Sequence, residues 1–314
     1  MKVLFTFKVK TAFKEQLSKD YPNVEFIYTA SIEDVSLEGV EVIATEGVDL
    51  TEEIIERASA LKWVMVAAVG VDELPLNALQ KKGIIVTNSH GVHKMPLAES
   101  VLAHLLSLER GLPGIYARQT EMRWELDKIP GEVNSSTALI VGTGAIGGEI
   151  GRLLQAFHVH TIGCNRSGHD SPSMNETISF SEIMMKLPEA DYVISILPST
   201  PATRWIYQAE HFQAMKNSAI FMNVGRGDAV KEQIVVDALE NQEIRHAVLD
   251  VFETEPLSVD SPLWKLPNCT VSPHMSSISD QYLIRSLGIM ETNLDKWLTG
   301  DKELINQVDV KKGY

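Results

Sequence analysis

In its first part the chain alternates short apolar runs with amphipathic ones. Segments 2–7 (KVLFTF), 24–30 (VEFIYTA), 40–47 (VEVIATEG), 61–70 (LKWVMVAAVG) and 83–89 (GIIVTNS) have the length and β-branched content of strands. Segments 11–21, 51–60 and 74–82, between them, carry apolar residues at helical spacing. Short apolar strands separated by helices predict a parallel sheet covered by helices.

The pattern breaks at 91–100 (GVHKMPLAES). Pro96 then leads a strongly apolar helix, 97–112, that Gly111 and Pro113 are expected to end. Residues 116–136 are polar and irregular and read as an arm or long loop. A second alternating series starts at Thr137. It has strands at 137–142, 159–164, 191–197, 218–225, 244–251 and 269–274, and helices at 145–157, 209–215 and 231–241. Residues 276–296 read as one long helix. The whole predicts an α/β fold of two Rossmann-like lobes, one built from 1–95 and 277–314, the other from 96–276.

In the second series, 141–147 (VGTGAIG) places Gly142, Gly144 and Gly147 in GxGxxG spacing between an apolar strand and a helix. Gly142 permits the tight turn, Gly144 lets the backbone approach a pyrophosphate, and Gly147 allows close helix–strand contact. A glycine turn that binds nothing is the plain alternative, and the strand and helix around it argue for the dinucleotide. Eighteen residues after Gly147, where such folds place an acid for the ribose 2′-hydroxyl, stands Asn165, followed by Arg166 and Ser167. No carboxylate follows until Asp170. A carboxylate would repel a 2′-phosphate, whereas a guanidinium fork and a hydroxyl suit one. NADP is therefore the expected cofactor, with NAD as the alternative. An ordinary solvated turn is the competing reading, stronger for Ser167 than for Arg166.

Composition narrows the field further. The 314 residues are 44% hydrophobic and 22% charged, enough for two buried cores. The net charge of −14 argues against a nucleic-acid or membrane-surface partner. Cys164 and Cys269 lie in strand-like surroundings without metal spacing, so buried thiols and no metal are expected. No apolar run approaches the ~20 residues of a membrane span. The patch before Lys8 is too short for a signal sequence, so a cytoplasmic location is expected.

Three stretches near strand ends carry candidate chemistry. NVGRGDAV (223–230) sets Arg226 between two glycines, suited to a bidentate grip on a substrate carboxylate. LDVFETEPL (249–257) supplies Asp250, Glu253 and Glu255, and SPHMSS (272–277) supplies His274. An imidazole paired with a carboxylate makes a general acid. Singly, each has a plain alternative: a capping histidine, or acids in a loop before Pro256.

Together, and in this order, they resemble the D-isomer-specific 2-hydroxyacid dehydrogenases. The resemblance is carried by LKWVMVAAVGVDELPL, PLAESVLAHLLSLERGLP, ALIVGTGAIGGEIGRLL, ISILPSTPATRWIY, FMNVGRGDAV, LDVFETEPL and VSPHMSS, and covers nearly the whole chain. It implies a flavodoxin-like substrate-binding lobe and a doubly wound dinucleotide-binding lobe with a cleft between them. It also implies a homodimer through the cofactor lobe and its helix at Leu97 to Leu112. Arg226 matches the substrate-binding arginine, His274 the catalytic histidine, Glu255 its carboxylate partner, and Asp250 an acid near the nicotinamide. Val69 and Gly70 match the backbone that holds the substrate carboxylate. Ala145, Ile146, Pro198 and Val224 complete the expected cofactor set.

The resemblance also bears on substrate. The formate dehydrogenases among these proteins carry an amide where Glu255 stands, so Glu255 favours a keto or hydroxy acid. Phosphoglycerate dehydrogenases carry an arginine near the segment that reads TEGVDLTEE here, with Glu46 and Asp49 and no cation. Small unphosphorylated 2-keto acids such as glyoxylate or hydroxypyruvate fit better, with the phosphoglycerate type as an alternative. A cofactor-sensing binding protein of the same fold is the other alternative, and NADPH oxidation on adding glyoxylate separates it. Met95, Met275 and Trp205 are candidates to close the substrate pocket, with ordinary packing as the plain reading.

Overall fold

The computed structural model describes residues 1–71, 73–126 and 129–310. Asp72, Asp127 and Lys128, the last two within the expected arm, lie outside the described residues. The strands are β1 (Lys2–Phe5), β2 (Glu25–Tyr28), β3 (Val40–Thr45), β4 (Trp63–Val66), β5 (Ile85–Thr87), β6 (Thr137–Val141), β7 (His160–Asn165), β8 (Glu176–Ser179), β9 (Tyr192–Ser195), β10 (Ile220–Asn223), β11 (His246–Leu249) and β12 (Cys269–Val271). The chain divides into two compact units, Met1–Val92 with Asp280–Tyr314, and His93–Ser279.

In the first unit the strand order is β2-β1-β3-β4-β5, every pair parallel. This is the flavodoxin-type doubly wound order. Strand alternation feeds two cores. Val64 and Val66 join Ile43, Ile54 and Leu79 on one face. Trp63 and Met65 join Leu287, Met290, Leu294 and Trp297 on the other. Those four belong to the helix Tyr282–Leu298, so the C-terminal part of the chain completes the core begun by the N-terminal part.

In the second unit the order is β12-β11-β10-β9-β6-β7-β8, again parallel throughout. Leu139 and Val141 of β6 face a core with Phe212, Phe221 and Val235. Ala138 and Ile140 face the opposite core, with Leu97, Val101 and Leu105 of the helix Lys94–Glu109 and Ile150 and Leu154 of the helix Ala145–Ala156. Each such Leu, Ile or Val, fully buried, contributes about 1.5–3 kcal/mol. The strand order reverses at β6, between β7 and β9, and open α/β sheets bind ligands at such a point.

Three sequence expectations are corrected. The apolar helix spans Lys94–Glu109, and Gly111, at φ +67°, separates it from a second helix, Leu112–Thr120. Pro113 opens that second helix, because the first turn needs no N–H from it. The first part of the expected irregular arm is therefore helical. Residues 276–281 are not helix; the last helix starts at Tyr282. The N–H groups of Met275 and Ser276 donate instead to the Asp250 carboxylate, and the Ile278 N–H closes a single turn on the Met275 carbonyl at 2.9 Å. Strand β8 was not anticipated; only Ile178 in it is buried, leaving little apolar pattern to read.

Candidate active site

The glycine loop leaves β6 and opens the helix Ala145–Ala156. Gly142 sits at φ +110°, and a Cβ there would lie 2.8 Å from the Ile196 carbonyl. A Cβ on Gly147 would lie 1.9 Å from the Gly142 carbonyl, so both glycines are demanded by the turn itself. Gly144 differs: nothing lies within 4 Å of the place its Cβ would take. Packing therefore does not require glycine at 144, and the open space beside it leaves room for a phosphate to approach the backbone. The helix N-terminus beside it has no side-chain cap. The amides of Ala145 and Ile146 begin that helix, where a phosphate is stabilised by free N–H groups and the helix dipole. These residues fit a dinucleotide.

At the end of β7 the Asn165 side chain is buried and spent on its own loop. Its Nδ2 donates to Thr143 Oγ1 (3.1 Å) and to the His169 carbonyl (2.8 Å). Its Oδ1 accepts from the N–H groups of Ser167 (3.2 Å) and Gly168 (2.8 Å). A carboxylate cannot make both donations. Arg166 is exposed and, among the described residues, forms no ion pair. Ser167 Oγ lies 2.7 Å from His169 Nδ1. Asn165 thus shapes the loop, and Arg166 and Ser167 are what the loop presents.

Pro198 is exposed just beyond β9, and Val224 is buried just beyond β10. Arg226 follows, exposed, with Nη1 donating to the Gly225 carbonyl at 2.8 Å. Its charge adds to burial in holding His93 below the ordinary histidine range, against the opposing pull of the Ser277 carbonyl. Burial also lowers His104, with Asp250 opposing.

His274 follows β12 and lies in the left-handed region, at φ +50°. Such a conformation costs a non-glycine residue about 1–3 kcal/mol and persists only where the surroundings fix it. Its Nδ1 lies 2.7 Å from Glu255 Oε2. Glu255 Oε1 accepts from the Phe252 N–H at 3.0 Å, which orients the carboxylate. Glu253 is engaged elsewhere, accepting from the Glu232 N–H. Beside the His274–Glu255 pair is a cavity of about 400 Å³ bounded by Phe252, Pro256, Leu257, Trp264 and Val271. Asp250 is buried, with both carboxylate oxygens accepting from the segment that carries His274.

The structure therefore brings the glycine loop, the Asn165 loop, Arg226, Asp250, Glu255 and His274 to the C-terminal ends of strands in one sheet. Val69 and Gly70 belong to the first unit, beyond β4. Asn88 Nδ2 donates to the Val69 carbonyl at 2.7 Å, and among the described residues neither the Val69 nor the Gly70 N–H has an acceptor. Met95 is partly buried, Met275 is 51% exposed, and Trp205 is partly buried with Arg204 and Lys231 over its ring. Burial pushes the thiols of Cys164 and Cys269 up to about 12, so neither is a thiolate at neutral pH. Among the described residues there is no metal-binding cluster, and no helix long and apolar enough to cross a membrane. Sequence reasoning missed the work done by Asn165, Ser272 and the two ends of Asp250. An Asn followed by Arg-Ser-Gly was the available signal for the first.

Comparison with known proteins gives consistent results. The family model for the D-isomer specific 2-hydroxyacid dehydrogenase NAD binding domain matches residues 102–276. Glyoxylate/hydroxypyruvate reductase B of Salmonella schwarzengrund (strain CVM19633) is 33% identical over 260 residues, covering 81% of this chain and 80% of that protein. The solved phosphoglycerate dehydrogenase from Lactobacillus plantarum is 32% identical with a TM-score of 0.61, covering 98% of this chain and 100% of that one. A D-isomer specific 2-hydroxyacid dehydrogenase from Xanthobacter autotrophicus Py2, solved in complex with NADPH and MES, is 27% identical with a TM-score of 0.76, covering 100% and 99%.

Proposed function

Because the chain belongs to the D-isomer-specific 2-hydroxyacid dehydrogenase family, we propose that it reduces a small, unphosphorylated 2-keto acid of the glyoxylate or hydroxypyruvate kind to the D-2-hydroxy acid, with NADPH preferred over NADH. The observation that carries this reading is the 2.7 Å contact between His274 Nδ1 and Glu255 Oε2. With Nδ1–H donated to the carboxylate, Nε2 is the ring nitrogen free to give a proton.

Arg226 binds the substrate carboxylate through its fork and polarises the keto oxygen. In the first unit the amides of Val69 and Gly70, which have no acceptor among the described residues, are donors suited to a carboxylate. His274, protonated, gives its Nε2 proton to the oxygen at C2, and Glu255 stabilises the imidazolium before the transfer. The glycine loop and the N-terminal amides at Ala145 and Ile146 hold the cofactor's pyrophosphate, and Arg166 and Ser167 take its 2′-phosphate. When bound, the reduced nicotinamide supplies the electrons and hydrogen that reduce C2.

Preference for NADPH is supported by the exposed Arg166, which forms no ion pair among the described residues, and by the absence of a carboxylate at the end of β7. An unphosphorylated substrate is supported by Glu46 and by Asp49, whose carboxylate already accepts from Thr45 Oγ1. The reductase B relative agrees with this choice, and the phosphoglycerate dehydrogenase relative makes phosphohydroxypyruvate the substrate to test against it. We take the working form to be a cytoplasmic homodimer through the cofactor unit, supported by the exposed Met122, Trp124, Leu126 and Ile129; light scattering checks the mass. Steady-state rates with glyoxylate, hydroxypyruvate and phosphohydroxypyruvate, each with NADPH and NADH, test the reading. The expected order places hydroxypyruvate and glyoxylate first. A higher kcat/KM on the phosphorylated acid overturns it.

A further inference from the structure

We propose that Asn88 is a positioning residue for the substrate, orienting the Gly70 N–H for the substrate carboxylate, and that the turn at Asn306 holds Asn88 in place. The inference rests on the reading of Val69 and Gly70 as donors to that carboxylate. Just beyond β4, three successive backbone carbonyls are taken. The Tyr282 hydroxyl donates to the Ala67 carbonyl at 2.8 Å, the Ser89 N–H to the Ala68 carbonyl at 2.9 Å, and Asn88 Nδ2 to the Val69 carbonyl at 2.7 Å. In a trans peptide unit the C=O and the N–H point in opposite directions. These three units are trans; the one cis bond among the described residues is Glu255–Pro256. The N–H groups of Ala68, Val69 and Gly70 are therefore turned away from Tyr282, Ser89 and Asn88, and among the described residues none of the three has an acceptor.

Each grip fixes one amide. The Ser89 N–H sets the plane that carries the Val69 N–H, and Asn88 sets the plane that carries the Gly70 N–H. The second plane has the greater need of it, because a glycine on one side leaves a peptide unit the most freedom to rotate. Asn88 is 9% exposed, and both ends of its amide are in use. While Nδ2 serves the Val69 carbonyl, Oδ1 accepts from the His90 N–H at 3.1 Å. An aspartate here keeps the acceptance and loses the donation, and it sets a second acceptor against the Val69 carbonyl.

Asn88 is held in turn by the C-terminal part of the first unit. Its N–H donates to the Asn306 carbonyl at 3.1 Å, and Asn306 Nδ2 donates to the carbonyls of Asn88 at 3.3 Å and His90 at 2.8 Å. Asn306 lies in the left-handed region, at φ +56°. Such a residue keeps its conformation where its neighbours over-determine it. Before it, Ile305 is gripped at both backbone groups by the buried Asn293 of the helix Tyr282–Leu298: its N–H donates to Oδ1 at 2.6 Å and its carbonyl accepts from Nδ2 at 3.0 Å. After it, Gln307 bridges to Thr87, and the Val308 N–H donates to the Val86 carbonyl at 2.8 Å. A continuous run of hydrogen bonds thus leads from Asn293 through the Asn306 turn and Asn88 to the peptide unit that carries the Gly70 N–H.

The test uses the full-length enzyme with Asn88→Asp and Asn306→Gly, reading KM and kcat for glyoxylate with NADPH, the NADPH Kd by fluorescence, and Tm. A donor that holds the carboxylate equally in the ground and transition states acts on KM and not on kcat. For Asn88→Asp we expect the glyoxylate KM to rise about tenfold, with kcat within about threefold and the NADPH Kd within about twofold of wild type. Asn306→Gly keeps the positive φ at no steric cost and drops both side-chain donations. It should raise the glyoxylate KM about two- to fivefold in the same pattern, and it decides the matter if Asn88→Asp does not fold. A merely structural role lowers Tm and leaves KM where it was, so a KM unmoved in both variants overturns the proposal. A NADPH Kd that weakens in step with KM overturns it too, because the damage is then not confined to the substrate. Wild-type enzyme that reduces no 2-keto acid overturns the functional reading itself, whereas normal turnover there with unmoved KM in both variants overturns only the positioning role.

Discussion

Two loops at the C-terminal edge of the second sheet differ in what holds them. The loop after β7 is closed from within: Asn165 supplies two donations and two acceptances to residues 143 and 167–169 and leaves Arg166 outside. The loop after β12 is held from outside, by Asp250 just beyond the neighbouring strand, and keeps its key residue at a positive φ. A self-closed loop tolerates exchange of the residues it displays, which suits a specificity element. A loop clamped by a neighbour is rigid, which suits a proton donor that must meet one oxygen.

The largest effect that would break this contrast is at the rigid loop. His274→Ala should lower kcat by about 10²–10⁴-fold; a loss of only a few-fold in steady-state reduction means the proton comes from elsewhere. Glu255→Gln should lower kcat about tenfold or more, equivalent to roughly 1.4 kcal/mol.

At the displayed loop the effects should fall on binding alone. Arg166→Ala should raise the NADPH KM about tenfold and leave the NADH KM and kcat nearly unchanged; equal changes with both cofactors would remove Arg166 from the 2′-phosphate site. Asn165→Asp should cost about 1–3 kcal/mol, because the buried carboxylate faces the His169 carbonyl without a proton to donate. Thermal unfolding measures this, and a variant as stable as the parent would show that the loop closes by other means.

The smallest effect is on stability against pH. His93, His104 and His211, all in the second unit, are held below the ordinary histidine range, chiefly by burial. Near pH 6.5 the unfolded chain therefore binds more protons than the folded one. Their contribution is whole above that pH and is lost as pH falls from about 6.5 through their folded values. Tm should be lower at pH 5.5 than at pH 7.5, and less so in His104→Gln. An unchanged difference in that variant would place the protons elsewhere.

Much of this arrangement was legible along the chain. Val64, Val66, Leu139 and Val141 sit in continuous apolar runs, and such runs read as strands without any knowledge of neighbours. Gly142 and Gly147 announced a tight turn into a helix, and Arg226, Glu255 and His274 stood where strands end. Elements with weak local pattern were lost. Strand β8 buries a single side chain, and the end of one helix and the start of the next, at Gly111 and Pro113, read as one stop.

The sequence by itself determined the two α/β units, the dinucleotide loop and the residue types of the site, because periodicity and glycine spacing are local properties. Only the tertiary structure decided what Asn165 and Asp250 do. Asn165 looked like a missing acid, and its amide proved to be consumed by Thr143 and His169. Asp250 looked like one more acid at a strand end, and its partners stand more than twenty residues away, at Ser272, Met275 and Ser276. Hydrogen bonds between separate strand ends leave no period in the sequence. They exist only once parallel pairing has set β11 beside β12.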